Sequence, residues 1–239
     1  MKYEDIIEGQ FIDRPNRFVA NVMIDGVAEK VHVKNTGRCK ELLEKGNAVY
    51  LEDFRNRMGS RKLSYSLISV FKNCSDGSKM LINMDSQAPN KVVHEALLNG
   101  NISLPGMDVL NLVKPEKTFL NSRFDFYVED ITGKSAYIEV KGCTLERDGT
   151  AFFPDAPTAR GSKHIHELMK AAAEGFNAYI VLVIQIEDIL LFKPNRKTDP
   201  DFADALSMAS KNGVQVLAYN CNVTSETLEI NKPIEVILD

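Results

Sequence analysis

The chain of 239 residues is 44% hydrophobic and 26% charged, the balance of a folded globular protein with one large or two small domains rather than a disordered chain. Its formal net charge of −4 does not by itself predict a polyanion partner, and no apolar run approaches the ~20 residues that a membrane helix needs. The opening stretch MKYEDIIEGQ carries Glu4, Asp5 and Glu8 and lacks the apolar core of a signal peptide, so a cytoplasmic location is expected. The charge is unevenly placed, with a net of +3 over residues 1–82 and −7 over residues 83–239, which hints at a basic module joined to an acidic one.

In chain order, residues 1–82 read as short strands at 9–11, 18–24, 28–32, 47–52, 62–70 and 79–82. Asp25-Gly26 is a hairpin turn signal, because glycine tolerates the positive φ of tight turns. One short helix is expected between them, capped by Asn35 or Thr36, with Leu42 and Leu43 on its apolar side and Gly46 after its end. About five strands and one small helix suggest a compact β-barrel of the OB type, although composition alone does not separate it from an SH3-like barrel. After residue 85 the pattern alternates. A helix is expected over 90–98, strands over 124–128 and 136–140, a helix over 162–173, strands over 178–186 and 189–192, a helix opened by Asp199-Pro200, and a strand over 214–219. This predicts an α/β domain with a mixed sheet, hence two domains over 1–82 and 83–239.

The chemistry concentrates in Ser122-Arg123-Phe124-Asp125-Phe126 and Ile138-Glu139-Val140-Lys141. Strand side chains alternate, so Glu139 and Lys141 share a face. Asp125 and Glu139 are equidistant from Thr132, so a hairpin turning there sets the two carboxylates opposite each other. Like charges so placed are destabilising unless neutralised. A divalent cation does this, and Mg²⁺ or Mn²⁺ is the expected ion, held by Asp125 and Glu139 with water and substrate phosphate completing its shell. Lys141 is then free to orient water or to contact phosphate, and is expected to matter there rather than in folding. The set matches the D-x(n)-E-x-K pattern of PD-(D/E)XK nucleases. Glu95, on the preceding helix, is a further candidate metal ligand. Arg160, Lys163, His164 and Glu167 fall on one face of the 162–173 helix and offer a ridge for a phosphate.

Arg55, Arg57, Arg61 and Lys62 crowd eight residues of a predicted loop, and Arg14, Arg17, Arg38 and Lys40 add to the basic inventory. Such groups bind phosphate backbones with little sequence preference. Tyr65 offers a stacking face or a core aromatic. Cys39, Cys74, Cys143 and Cys221, like the four histidines, show no zinc-ligand spacing and are expected to be buried thiols.

RPNRF at 14–18, HVKNTGRCKELL at 32–43, SRFDF at 122–126, IEVKGCTL at 138–145, FPDAPTARGSKH at 153–164 and GVQVLAYNC at 213–221 together resemble the sugar fermentation stimulation protein family. The resemblance implies an N-terminal OB-like domain, a C-terminal PD-(D/E)XK nuclease-like domain, sequence-tolerant DNA binding and an influence on sugar (maltose) utilisation. By motif position it also implies Asp125, Glu139 and Lys141 as a nuclease-like triad, with Arg160 and His164 beside it. Asn121 stands where the family carries a glycine, so a left-handed turn is expected there. The leading expectation is a DNA-binding protein, and its rival is an active Mg²⁺-dependent nuclease.

Overall fold

The computed structural model describes residues 1–35, 37, 39–74 and 76–238. Six strands come first: β1 (Ile6–Asn16), β2 (Val19–Ile24), β3 (Val27–Val33), β4 (Ala48–Asp53), β5 (Tyr65–Asn73) and β6 (Lys79–Asn83). They pair in the order β3-β2-β1-β4-β5-β6, and β3 also meets β5 in parallel at His32↔Ser66 and Val33↔Leu67. That last contact closes five strands into an OB barrel around Val22, Val31, Leu51, Leu67 and Val70. The hairpin β2–β3 turns on two residues, Asp25 with φ 49° and Gly26 with φ 81°, the pair of positive φ values that matches strand twist.

The expected helix after β3 is absent among the described residues. Asn35 turns its side chain back to accept the N–H of Gly37 at 2.8 Å, and Leu42 and Leu43 N–H both reach the Cys39 carbonyl. This is one isolated turn, too short to repay helix nucleation. Thr36 lies outside the described residues.

The second half opens with α1 (Ala88–Leu98), followed by β7 (Leu110–Phe119), β8 (Ser122–Asp130), β9 (Ser135–Cys143), β10 (Leu145–Arg147) and β11 (Thr150–Phe153). Next come α2 (Ala159–Ala173), β12 (Asn177–Ile184), β13 (Leu191–Pro194), α3 (Pro200–Lys211), β14 (Val214–Val223), β15 (Leu228–Pro233) and β16 (Glu235–Val236). A six-stranded sheet has the order β15-β14-β12-β9-β8-β7, and a smaller one the order β10-β11-β13-β16. The larger sheet is mixed, because β9, β12 and β14 run parallel and the outer pairs antiparallel.

Residues Ala178 to Ile184 of β12 are wholly buried, as the central strand of a sheet covered on both faces requires. One cover is α1, whose Val92, Val93, Ala96 and Leu97 pack on Phe126, Val128, Ile138 and Val140. The other is α2 with α3, whose Ile165, Leu168, Phe202 and Leu206 share a core with Tyr137, Ile180 and Leu182. That second core is continuous with the barrel interior, and Asn83 N–H reaches the Gln185 carbonyl at 3.1 Å. The chain start belongs to the far edge of the sheet, where Lys2 pairs with Thr227. Thr158 caps α2 through Gly161 N–H at 3.0 Å and Asp199 caps α3 through Phe202 N–H at 3.0 Å, so α2 starts earlier than the apolar stripe alone suggests. In the β7–β8 turn the left-handed residue is Leu120, with φ 47°, and not Asn121.

The β8–β9 turn is fastened by one carboxylate. Buried Asp130 accepts N–H groups of Asp108, Thr132 and Lys134 at 2.8, 2.9 and 3.0 Å and the Thr132 hydroxyl at 2.6 Å. Burial pushes its pKa up, but these donors outweigh burial and bring it from 3.8 to about 2. A carboxyl depressed on folding stabilises fully above its unfolded value, and that contribution is lost as pH falls through the folded one. Asp130→Asn is therefore expected to melt at a lower temperature than wild type at pH 7, with the difference shrinking as pH falls from about 4 towards about 2. Equal melting temperatures at pH 7 would show that the turn does not depend on this charge.

Candidate metal and phosphate site

The site forms where β8 and β9 part. Their ladder runs from Glu129↔Ser135 to Phe126↔Ile138, the register centred on Thr132. Two residues beyond Ile138, the Val140 N–H donates to Asp125 Oδ2 at 2.7 Å. Phe124 meets His164 of α2 edge-on at 6.1 Å, whereas Phe126 stacks on His94 of α1 at 5.6 Å. Residues two apart on a regular strand share a face, so the alternation slips at Asp125 and turns its carboxylate into the gap. Asn90, in the first turn of α1, donates to Asp125 Oδ1 at 2.7 Å.

Glu139 is only 2% exposed. Its Oε1 accepts from Lys141 Nζ and from His164 Nδ1, the latter at 2.6 Å. An ionised carboxylate only accepts, so Nδ1 carries the imidazole proton. Burial and the charge of Glu139 raise the Asp125 pKa against the pull of Val140 N–H and Asn90. Burial also works to raise that of Glu139, but the His164 hydrogen bond and the charge and hydrogen bond of Lys141 reverse it, so its pKa is lowered. Neighbouring carboxyls with opposed shifts are the arrangement that divides proton and charge duties in active sites.

Glu139 Oε2 is buried and has no hydrogen-bond partner. A buried charged oxygen without a donor is costly, and a second carboxylate close enough to feel its charge makes a pair that suits a hard cation. Asp125 and Glu139 thus fit a divalent ion. Among the described residues no group of three or more His, Cys, Asp or Glu forms a complete cage, so the remaining ligands of such an ion would be water or phosphate oxygens.

The other expected residues fall elsewhere or take different roles. Glu95 points away from Asp125 and pairs with the Met1 ammonium at 2.7 Å, because five residues along a helix turn it well past the Asn90 face. Asn90 occupies the helix position beside the site. It lacks a carboxylate, so a search for acidic residues passes over it. His164 is buried and acts as the partner of Glu139 rather than as an exposed phosphate contact, and Glu167 is buried with it. Arg160 and Lys163 remain exposed on the same helix.

On the barrel, Arg14 braces the 35–37 backbone through the Asn35 and Gly37 carbonyls at 2.6 and 2.8 Å. Arg17 is exposed and lies over Phe18 at 4.8 Å, while Arg38 lies outside the described residues. Arg55 pairs with Asp53 at 2.7 Å, and Arg57 with Glu52, Glu4 and Asp5 at 3.1, 3.4 and 3.5 Å. Arg61 lies over Phe54 at 3.6 Å and bonds Ser66 Oγ, and Lys62 is exposed. Four carboxylates, two of them from the start of the chain, therefore offset two of the four cations of this loop, Arg55 and Arg57, whereas sequence counting treats all four as an uncompensated cluster. Tyr65 is buried and serves the barrel wall rather than a stacking platform. Cys39, Cys143 and Cys221 are buried free thiols, and Cys74 is half-buried.

The Lys141–Glu139 pair alters one expectation. Lys141 neutralises a buried carboxylate, so removing it does not leave the fold untouched. Lys141→Ala should lower stability by about 1–3 kcal/mol in metal-free buffer, read by thermal or denaturant unfolding. An unchanged midpoint would show that Glu139 is solvated.

Residues 12–83 match the family model of the SfsA N-terminal OB domain, and residues 87–227 that of the Sugar fermentation stimulation protein RE domain. Sugar fermentation stimulation protein homologues of Clostridium beijerinckii and Ruminiclostridium cellulolyticum are 49% and 51% identical to this chain over 238 residues, covering 100% of both partners in each comparison. The solved structure of Pyrococcus furiosus SfsA in complex with Ca²⁺ superposes with a TM-score of 0.84 at 27% identity, covering 99% of this chain and 98% of that one. With both domain models matched in order and full-length relatives at about half identity, this chain belongs to the sugar fermentation stimulation protein family.

Proposed function

We propose that this protein binds DNA with little sequence preference and acts on its phosphodiester backbone at a divalent-cation site formed by Asp125 and Glu139. The observation that carries this reading is the unpartnered, buried Glu139 Oε2 beside a second carboxylate. The Ca²⁺ complex of the Pyrococcus furiosus relative supports the same class of ion, and Mg²⁺ or Mn²⁺ is proposed as the working metal. When bound, such an ion supplies charge neutralisation to the two carboxylates and Lewis acidity to a phosphoryl oxygen. The chain's own residues do the rest. Asn90 and Val140 N–H fix the Asp125 carboxylate, and His164 fixes that of Glu139. Lys141, held beside Glu139, presents an ammonium that orients water or stabilises phosphate charge. Arg160 and Lys163 on α2, with Arg17 and Lys62 on the barrel, supply exposed cations to the backbone. An effect on sugar utilisation, as in the family's name, would follow from such DNA contacts as a second-level consequence.

Mn²⁺ or Mg²⁺ is expected to raise the melting temperature of the wild type by mass action, and the rise should vanish in an Asp125→Asn, Glu139→Gln variant. The same two proteins, incubated with single- and double-stranded DNA with Mn²⁺ or EDTA and run on denaturing gels, test the phosphodiester step. Metal-dependent shortening by wild type and not by the variant is the expected result. An equal melting shift in both proteins would place the ion elsewhere, and intact DNA in every lane would reduce the function to binding.

A further inference from the structure

The carboxylates around the 54–64 loop are taken by Arg55 and Arg57. The other two cations of that loop, Arg61 and Lys62, line a pocket of about 230 Å³ with Leu63 and with His32 of β3. Among the described residues neither cation has a carboxylate partner, and the His32 ring has no hydrogen bond. Arg61 is nevertheless fixed in place. Its loop is closed by Phe54 N–H on the Ser64 carbonyl at 2.7 Å and by Arg61 N–H on the Met58 carbonyl at 2.9 Å. The guanidinium then lies over the Phe54 ring at 3.6 Å and donates through Nη2 to Ser66 Oγ. Ser66 stands opposite His32 where β5 meets β3. The pairing that closes the barrel therefore sets Arg61 beside His32 without an ion pair to do so.

We infer that this pocket receives a phosphate group of the DNA backbone, held by Arg61, Lys62 and His32. Basic side chains gathered around one pocket repel one another when charged, and an entering oxyanion removes that cost. The guanidinium fork and the ammonium both suit phosphate oxygens, and a protonated imidazole adds a further donor. The pocket is smaller than those that bury a whole small ligand, which fits one oxyanion group rather than a base. His32 also ties binding to pH. The charged groups acting on it are Arg61 from the loop, Lys34 from its own strand and Asp85 from the connection to α1. Its neighbours across the strands, Val19 and Ser66, are uncharged. Burial, Arg61 and Lys34 hold the His32 pKa below its usual 6.5 against the pull of Asp85, so the free ring is mostly neutral at pH 7. A phosphate favours the protonated ring and raises that pKa. The complex thus takes up a proton, and affinity grows as pH falls from the bound value towards the free one.

This inference rests on the proposed DNA binding, and two measurements keep their failures apart. Fluorescence anisotropy of a labelled single strand is measured with wild type, His32→Gln and Lys62→Gln, in Ca²⁺, from about pH 8 to about pH 5.5 and over a range of salt. Lys62 is exposed and His32 half-buried, and melting temperatures confirm that each variant is folded. Between these pH limits wild-type affinity should rise roughly fivefold more than that of His32→Gln, the other titrating groups being common to both proteins. Lys62→Gln should bind more weakly at every pH, and its slope of log affinity against log salt should be shallower by about 0.7. A His32→Gln variant with the wild-type pH profile, or a Lys62→Gln variant with the wild-type affinity and salt slope, overturns the pocket and leaves DNA binding standing. If wild type binds no DNA, the DNA reading falls. The His32 ring protons, followed by NMR in metal-free buffer with and without inorganic phosphate, then decide the pocket alone. A titration midpoint raised by phosphate keeps it as a site for free phosphate, and an unmoved midpoint overturns it.

Discussion

The buried charge of Glu139 is the constraint around which the second domain is arranged. A carboxylate 2% exposed is tolerable only where neighbouring groups neutralise it. The chain brings Lys141 from the same strand and His164 from α2 to one of its oxygens, and leaves the other without a partner. Asp125 is held on both oxygens, by the Val140 N–H and by Asn90. Two helices packed on the two faces of one sheet, together with strand β9 itself, thus converge on two carboxylates. Replacing buried ionic groups by apolar residues of similar size is often neutral or stabilising. The arrangement makes physical sense as a place where positive charge arrives.

The barrel is tied to this point rather than appended to it. Lys34, at the end of β3, pairs with Asp85 at 2.6 Å with both side chains largely buried. Asp85 Oδ1 in turn accepts the Gln87 N–H at 2.9 Å, just before α1 and hence just before Asn90. Ser86 Oγ donates to the Lys34 carbonyl at 2.8 Å, and Gln185 Nε2 bridges Asn83 and the Asp85 carbonyl at 2.9 and 3.1 Å. Breaking a buried pair of this kind costs far more than breaking an exposed one. The position of the OB barrel is therefore coupled to the turn of α1 that holds Asp125.

Much of this is legible in the sequence because it depends on local rules. The Asp25-Gly26 hairpin, the Asp199-Pro200 helix start, the continuous apolar run of β12 and the register about Thr132 all follow from turn chemistry and strand periodicity. β7 escapes because it is an edge strand: it is mostly exposed, carries Lys114, Pro115 and Lys117, and shows the blunted composition of edges rather than alternation. The helix expected near Leu42 fails because Asn35 and Arg14 hold that segment in turns. The offset of Arg55 and Arg57 by Glu4, Asp5, Glu52 and Asp53 is tertiary: two of these carboxylates lie about fifty residues away, and counting charges in a window misses them. Asn90 is invisible for the same reason, since its partner stands on a strand beyond the next helix-to-sheet crossing.

The proposed function requires Glu139 Oε2 and Asp125 to hold a divalent cation. Its most direct test is an anomalous difference map from crystals of the full chain grown with Mn²⁺. A peak is expected about 2.0–2.6 Å from Glu139 Oε2, with an Asp125 oxygen as second protein ligand. A map with no peak between these carboxylates, or with Mn²⁺ only at other positions on the surface, would contradict it.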